Sequence, residues 1–283
     1  MGRLPAPNGR VAAELIAGQR TPAMLANKVT AILYTSHRVS AFQRLMDGWG
    51  NRHTMLVIAD ASPTGYVRGQ DVPDWCDVVR VDPLKTMGAA LNEMLDYVKT
   101  PYVTLVMDDW VMAPSYKPEY LAAICEAGRY TMVSGRVLDL PRTSGQFSSL
   151  RRDVCRAYMA RTSDASDEEE LRLIPVDWDP QDSVVPVPIV SQHYVARTKS
   201  LRDAGGWSPD LRSCHHLNLC LSLQADGHSV AVTGVSLASH APTDPMPEYD
   251  AVRAENNALG RLQLMEKWGV RRIFGIEEWN AEE

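Results

Sequence analysis

No apolar run in this 283-residue chain reaches the ~18 residues that a membrane-spanning helix needs. There is no charged-then-apolar secretory leader at its start, no CxxC pair and no repeat of fixed period. The five cysteines, Cys76, Cys125, Cys155, Cys214 and Cys220, are odd in number and scattered, which argues against a disulfide framework and suits reduced thiols in the cytosol. Positive charge is not in excess either. A formal net charge of −6 speaks against a dedicated nucleic-acid binder, although a local basic patch is compatible with it. What remains is the composition of an ordinary globular enzyme, 45% hydrophobic and 23% charged, long enough for one large α/β domain or two small ones.

The most informative stretch runs from Thr100 to Trp110. Pro101 leads into a Val- and Leu-rich apolar run that ends abruptly at Asp108 and Asp109. Such a run reads as a central strand buried on both faces. Two adjacent carboxylates at its end repel each other, and burial raises the cost of each charge. A bound cation resolves that conflict, and a hard cation on oxygen ligands often brings a phosphate with it. In open α/β sheets ligands gather at the carboxyl ends of strands. The plainer alternative is a solvated turn, since Asp favours turns.

Before this stretch, strand and helix alternate. A strand over Lys28 to Tyr34 precedes a helix from about Val39 to Trp49, with Ser36 or Ser40 as a plausible N-cap. A second strand covers Thr54 to Ala59 and ends in a turn at Asp60 to Gly65; a third covers Asp77 to Val81 and leads to Lys85-Thr86-Met87-Gly88 and a helix through about Lys99. This alternation predicts a parallel sheet with right-handed crossovers. Beyond Pro114 we expect a helix over Glu119 to Ala127, a strand over Thr131 to Asp139, and an excursion over 141–183 that could form a loop over the site. The acidic run from Asp167 to Glu170 within it reads as a solvated face. Val184 to Val195, broken by Pro186 and Pro188, suits an edge strand. A turn at Ala204 to Trp207, a helix from His216 to Asp226 closed by Gly227, a strand over Ser229 to Val235 with His240 just beyond it, and a tail helix from Glu248 to Trp268 complete the series. Residues 1–27 read as a loosely attached arm, with a possible short helix near Val11 to Ile16.

Taken in order, these segments resemble a nucleotide-sugar-dependent glycosyltransferase of the GT-A type, most closely family 2. Val29 to Thr35 is similar to the family's first strand, and Val57 to Pro63 to its strand-acid-Ser-Pro segment. Gly88 and Asn92 resemble the Gly and Asn of the helix before the acidic motif, and Met107 to Pro114 its Asp-x-Asp region. Gly205-Gly206-Trp207 and Leu219 to His228 resemble the Gly-Gly-aromatic turn and the following helix, with Lys267-Trp268-Gly269 a lesser echo. The match spans roughly residues 28 to 270, and its specificity lies in order and spacing rather than in any one motif.

The resemblance implies a single GT-A-like (Rossmann-like) α/β domain with a mostly parallel sheet flanked by helices. It divides into an arm (1–27), a nucleotide-sugar half (28–114), an acceptor half (115–245) with the variable segment 141–183, and a helical tail (246–283). It implies transfer of a sugar from a nucleoside diphosphate, UDP favoured, to a hydroxyl on a glycan, lipid, protein or modified nucleobase. The donor would lie among Thr35, Asp60, Lys85, Gly88, Asn92 and Asp108, with Asp60 accepting from a base N–H. A divalent cation, Mn²⁺ or Mg²⁺, would bind Asp109 and His240 and neutralise charge on the leaving diphosphate. Lys85 and Arg38, near helix N-termini, could face phosphate, though a solvated charge is the plainer expectation for each.

The chain departs from the family pattern in three places. Trp110 replaces the usual last acid of the Asp-x-Asp run, and Ala59 replaces the first acid of the pair before Ser62. The Glu-Asp that supplies the general base of inverting members is here His215 and His216. The candidate catalytic groups are therefore His216, whose ordinary pKa of ~6.5 suits base chemistry, with His215 beside it, or a base from elsewhere such as Asp210. Cys214, His215, His216 and Cys220 gather soft ligands but lack the paired spacing of structural zinc. Among the tryptophans Trp207 is best placed to stack on an acceptor sugar, and core packing is the default for Trp75, Trp110 and Trp178. Two rivals share these residues. One is a non-catalytic nucleotide-sugar or carbohydrate-binding protein. The other is a nucleotidyltransferase, whose Gly-rich basic loop is not matched by Tyr34 to Arg38.

Overall fold

The computed structural model describes residues 25–36, 38–49, 55–65, 67, 72–127, 130–140, 149–150, 155–161, 169–176, 184–241 and 247–275. The proposed helix near Val11 to Ile16 lies outside them, as do Asp167, Glu168 and Trp178. The N-terminal half follows the alternation read from the sequence. It runs β1 (Val29–Thr35), α1 (Val39–Trp49), β2 (Met55–Asp60), β3 (Cys76–Arg80), α2 (Met87–Tyr97) and β4 (Tyr102–Met107). Apolar spacing sets the helices: α1 buries Ala41, Phe42, Leu45, Met46 and Trp49 along one stripe of period 3.6. A cap fixes the start of α2, where the Thr86 hydroxyl accepts from the Ala89 N–H at 3.2 Å. The strands β1, β2 and β4 are largely apolar because both faces are covered. On β1, Ile32 packs into the cluster that holds α2 residues, while Ala31 and Leu33 pack into the one that holds α1 residues.

The second half continues through β5 (Trp110–Val111), α3 (Pro118–Glu126), β6 (Met132–Asp139), β7 (Ser149–Leu150), β8 (Cys155–Arg161) and β9 (Glu169–Pro175). It closes with β10 (Val184–Pro186), β11 (Tyr194–Arg197), α4 (Thr198–Asp203), α5 (His215–Ala225), β12 (Val230–His240), α6 (Pro247–Trp268) and β13 (Arg272–Phe274). The main sheet has the order β10-β12-β6-β11-β4-β1-β2-β3, with β5 paired to β12 and β7 to β6. Strands β3, β2, β1 and β4 are parallel; β11 runs against both β4 and β6, and β12 runs parallel to β6. So β1, β2, β4, β6 and β12 all point the same way and deliver their carboxyl ends to one edge. The chain lays β2 and β3 on one side of β1 and then returns to place β4 on the other. The gap between β1 and β4 is therefore the topological switch point, where ligands of such sheets bind.

Four sequence expectations change here. The segment from Val184 to Val195 is not one edge strand: β10 lies at the edge, but β11 sits mid-sheet between β6 and β4. Pro186 ends β10 and Pro188 follows in the connection, so the run is broken before the buried Tyr194, Val195 and Ala196 of β11. The excursion over 141–183 contains strands, because β8 and β9 pair antiparallel and β13 from the tail adds to β9 in parallel. Glu170 of the acidic run is buried and paired with Arg172 at 3.1 Å rather than solvated. Finally, β12 extends to His240, so this histidine ends a strand instead of following one.

The Gly-Gly-Trp turn after α4 is held by α2. The Asn92 side chain accepts from the Trp207 N–H at 2.9 Å and donates to the Trp207 carbonyl at 2.7 Å. Both glycines have positive φ, Gly205 at 80° and Gly206 at 66°, but a Cβ on Gly206 would lie 2.2 Å from Asn92 Oδ1, whereas one on Gly205 meets nothing within 4 Å. Gly205→Ala should therefore cost only the left-handed backbone penalty of about 1–2 kcal/mol. Gly206→Ala adds the lost Asn92 clamp, worth roughly 1–3 kcal/mol more. Urea unfolding of the two variants checks this, and equal losses would contradict the clamp.

Candidate functional site

The carboxyl edge of the sheet gathers Thr35 at the end of β1, Asp60 at the end of β2, Asp108 and Asp109 in the tight turn after β4, Asp139 at the end of β6 and His240 at the end of β12. Asp108 and Asp109 are both buried. Thr35 Oγ1 donates to Asp108 Oδ2 at 3.0 Å across the β1–β4 gap. The Arg38 guanidinium, at the entry to α1, spans the pair: Nη2 is ion-paired with Asp108 Oδ1, and Nη1 lies 2.5 Å from Asp109 Oδ2. Arg38 is thus no solvated charge; its side chain is 10% exposed. Tyr249, from the first turns of α6, lies beneath the guanidinium at 5.9 Å. On the other flank His240 Nε2 stands 3.3 Å from Asp109 Oδ2, and its Nδ1 stands 2.7 Å from Asp139 Oδ1.

The two adjacent acids have opposite electrostatics. Burial is the largest influence on Asp108 and pushes its carboxyl up to about 6, against the pull of Arg38. Burial also acts upward on Asp109, but the His240 hydrogen bond and the Arg38 charge together outweigh it and hold the carboxyl at about 2. Asp109 is therefore the firmly ionised member and the better ligand for a cation. His240 has the matching arrangement: a carboxylate on Nδ1 orients the ring so that Nε2 points at Asp109, the way outer carboxylates orient metal-binding imidazoles. Asp109 and His240 are the side chains of this edge that could hold a hard-to-borderline divalent cation. Among the described residues no three His, Cys, Asp or Glu side chains converge as a ligand set, and Arg38 is seated on the carboxylates in their place.

Asp60 is held at one oxygen only. Its Oδ1 accepts from the Ser62 N–H at 3.0 Å and the Ser62 hydroxyl at 2.5 Å, with Arg80 Nη1 at 3.3 Å. Oδ2 is buried and has no hydrogen-bond partner, so the carboxylate keeps a fixed, unused acceptor beside the switch point. Trp110 explains the departure from a third acid. It is 1% exposed, packed edge-on against Tyr116 and His193, and anchors β5 to β12 opposite His240.

The other residues expected at the site take different places. Asn92 has both ends of its amide on the Trp207 backbone. A Cβ on Gly88 would strike the Ser208 carbonyl at 2.2 Å, so this glycine permits close approach of α2 to the loop before α5. Lys85 pairs with Glu93 at 2.7 Å. Trp207 is 1% exposed, which removes its ring as a stacking face for an acceptor. His216 has its Nε2 2.5 Å from the Val190 carbonyl and its ring stacked on Tyr194 with centroids 5.3 Å apart. His215 is buried against α2, and Asp210 is exposed in the loop between α4 and α5. His216 Nε2 also lies 3.7 Å from Cys220 Sγ, a contact within one helical turn rather than a zinc site.

No family model matches the chain, and no curated protein does. Among solved structures it is similar to S. aureus TarS 1–349 in complex with UDP-GlcNAc, with a TM-score of 0.53 and 10% identity, covering 77% of this chain and 60% of that one. It is also similar to GalNAc-T7 with UDP, GalNAc and Mn²⁺, with a TM-score of 0.56 and 11% identity, covering 85% of this chain and 56% of that one. The chain thus spans less than two thirds of either neighbour. It has a GT-A glycosyltransferase fold.

Within this GT-A frame, sequence reasoning missed Asp139 and Tyr249 and undervalued Arg38. Asp139 carries the same mark as Asp60 and Asp108, an acid closing a strand, and was findable on that ground. Tyr249 carries no such mark, because only the packing of α6 brings it to Arg38. His215 offers a test of how the loop before α5 packs on α2. Burial holds its pKa down to about 4, against the backbone of Ser208 and Arg212. A base depressed on folding contributes stability that is present above its unfolded pKa of ~6.5 and is lost as pH falls toward 4. Between pH 7 and 5 the wild type should therefore lose stability more steeply than His215→Gln, by at most ~1.4 kcal/mol per pH unit. Urea midpoints at the two pH values measure it, and identical slopes would mean that the imidazole is not held neutral.

Proposed function

We propose that this chain transfers a sugar from a nucleoside diphosphate, UDP favoured, to a hydroxyl acceptor, with a divalent cation at the diphosphate. The observation that carries this reading is the row of acids at the switch point of a GT-A sheet: Asp60 with one unused buried oxygen, then Asp108 and Asp109 across the β1–β4 gap. Asp60 Oδ2 accepts the imide N–H of a uracil, an interaction that a base without that N–H cannot make. Ser62 and Arg80 fix the other oxygen, so the acceptor is in place before the ligand arrives. TarS and GalNAc-T7, each solved with a UDP-containing ligand, support the nucleotide class.

Asp109 and His240 hold the cation, which when bound supplies Lewis-acid stabilisation to the departing diphosphate. Asp139 keeps the His240 lone pair aimed at it, and Thr35 fixes Asp108. Deprotonation of the acceptor hydroxyl falls in this reading to Asp210, the exposed carboxylate of the loop before α5. His216 is read as a structural group, since Val190 and Tyr194 take its Nε2 and its ring face.

Thermal shift with UDP-, GDP-, dTDP- and CMP-sugars in Mn²⁺ tests the donor, because a ligand of the folded state alone raises the melting temperature. A rise with UDP-sugars and none with CMP-sugars, whose cytosine lacks the imide N–H, is expected, and Asp60→Asn should weaken the rise by about tenfold or more in affinity by leaving an N–H facing an N–H. No rise with any donor overturns the reading. Asp210→Asn should lower turnover with donor affinity unchanged. Donor binding without turnover on any acceptor would instead mark a nucleotide-sugar-binding protein on this scaffold.

A further inference from the structure

Arg38 stands where the proposed cation has to act. A guanidinium is planar and presents its N–H groups as a rigid fork, which lets one side chain neutralise two neighbouring carboxylates. Here the fork is divided between Asp108 and Asp109, and Tyr249 of α6 lies against it. The Asp109 oxygen that Nη1 contacts at 2.5 Å is the same Oδ2 that His240 Nε2 faces at 3.3 Å. A cation bound between that oxygen and that nitrogen would lie only a few ångströms from the guanidinium, at metal–ligand distances of about 2.0–2.2 Å. Two positive charges cannot share one carboxylate oxygen in a buried site without heavy repulsion.

Resting on the nucleotide-sugar reading above, we propose that Arg38 is the built-in counter-ion of the Asp108–Asp109 pair, and that it and a divalent cation occupy the pair alternately. The cation enters when a nucleoside diphosphate offers the guanidinium another anion and offers the metal further oxygens. Diphosphate and metal then bind as one unit. Arg38 remains a positive charge throughout: in the free protein it stabilises two buried carboxylates, and in the loaded protein it is free to face phosphate, to which its fork is equally suited. The coupling is reciprocal, so whatever factor the diphosphate adds to metal affinity, the metal adds to diphosphate affinity. Arg38 is in these terms a positioning residue that sets the order and cooperativity of loading.

The test is a Mn²⁺ titration followed by the electron paramagnetic resonance of free Mn²⁺, on wild type, Arg38→Met and Arg38→Lys, each without nucleotide and with saturating UDP. Wild type should bind Mn²⁺ at least about tenfold more tightly with UDP than without, a coupling of ordinary allosteric size. Arg38→Met should bind Mn²⁺ alone about tenfold more tightly than wild type, with most of the UDP effect gone, because nothing then competes for the pair. Equal cation-only affinities in wild type and Arg38→Met overturn the proposal. Circular dichroism checks that Arg38→Met folds. If it does not, Arg38→Lys decides the matter, since an ammonium is a point charge that cannot span both carboxylates. Its cation-only affinity should lie above that of wild type, and equality overturns the proposal. The cation-only comparison does not depend on any nucleotide binding, so a protein that ignores UDP fails the functional reading while the competition at Asp109 is still read directly.

Discussion

Two carboxylates side by side in a buried turn are the constraint on which this edge of the protein depends. Asp108 and Asp109 cannot both be ionised and dry without compensation. The surrounding groups supply it from four directions: Thr35 from β1, Arg38 from the entry to α1, His240 from the end of β12 and, through His240, Asp139 from the end of β6. The turn is buried because its neighbour is. Trp110 packs against Tyr116 and His193, and by pairing with His240 it pulls the acids under the sheet edge. A third acid at position 110 would point into that apolar cluster, so the shortened acidic motif follows from the packing of β5.

The topology turns this constraint into a site. Because the chain reverses its direction of sheet growth between β3 and β4, the gap between the ends of β1 and β4 is the place where sheets of this kind bind ligands. Thr35 and Asp108 bridge its floor, and Asp60 stands on the adjacent strand with one oxygen uncommitted. The opposite wall is joined to the same helix that feeds β4. Asn92 on α2 grips the Trp207 peptide, the Thr86 hydroxyl reaches the Pro209 carbonyl at 2.5 Å, and Gly88 lets the Ser208 carbonyl come close. The Gly and Asn of this helix hold the loop before α5 in place beside it.

Much of the fold was legible because it rests on local rules. The apolar stripe from Ala41 to Trp49 specifies α1 with the bounds observed, and the doubly apolar run before Asp108 reads correctly as a strand covered on both faces. Gly227, with φ of 76°, ends α5 where the helix-stop signal placed it. The misreadings share a cause. Val184 to Val195 split into an edge strand and a central one, and 149–175 gained strands, because pairing partners far along the chain decide which apolar runs join which sheet. Glu170 is buried and ion-paired with Arg172, a fact about side-chain direction that a charge run does not carry.

At the site the division is sharper. Residue types and spacing alone determined that acids would close the strands at Asp60 and at Asp108–Asp109, that a Gly-Gly-aromatic turn would precede a helix, and that the first half would alternate strand and helix in a parallel sheet; the GT-A arrangement was implied only by the resemblance of these segments, in their order, to a known family. The local features follow from backbone propensity and hydrophobic period, which act over a few residues. Only the tertiary structure decided that Arg38 would neutralise the acid pair, that Tyr249 would be brought from over two hundred residues away to lie against it, and that Trp207 and His216 would turn inward. Charge and burial act through space, and sequence distance does not measure how near two side chains come or how much water is left between them.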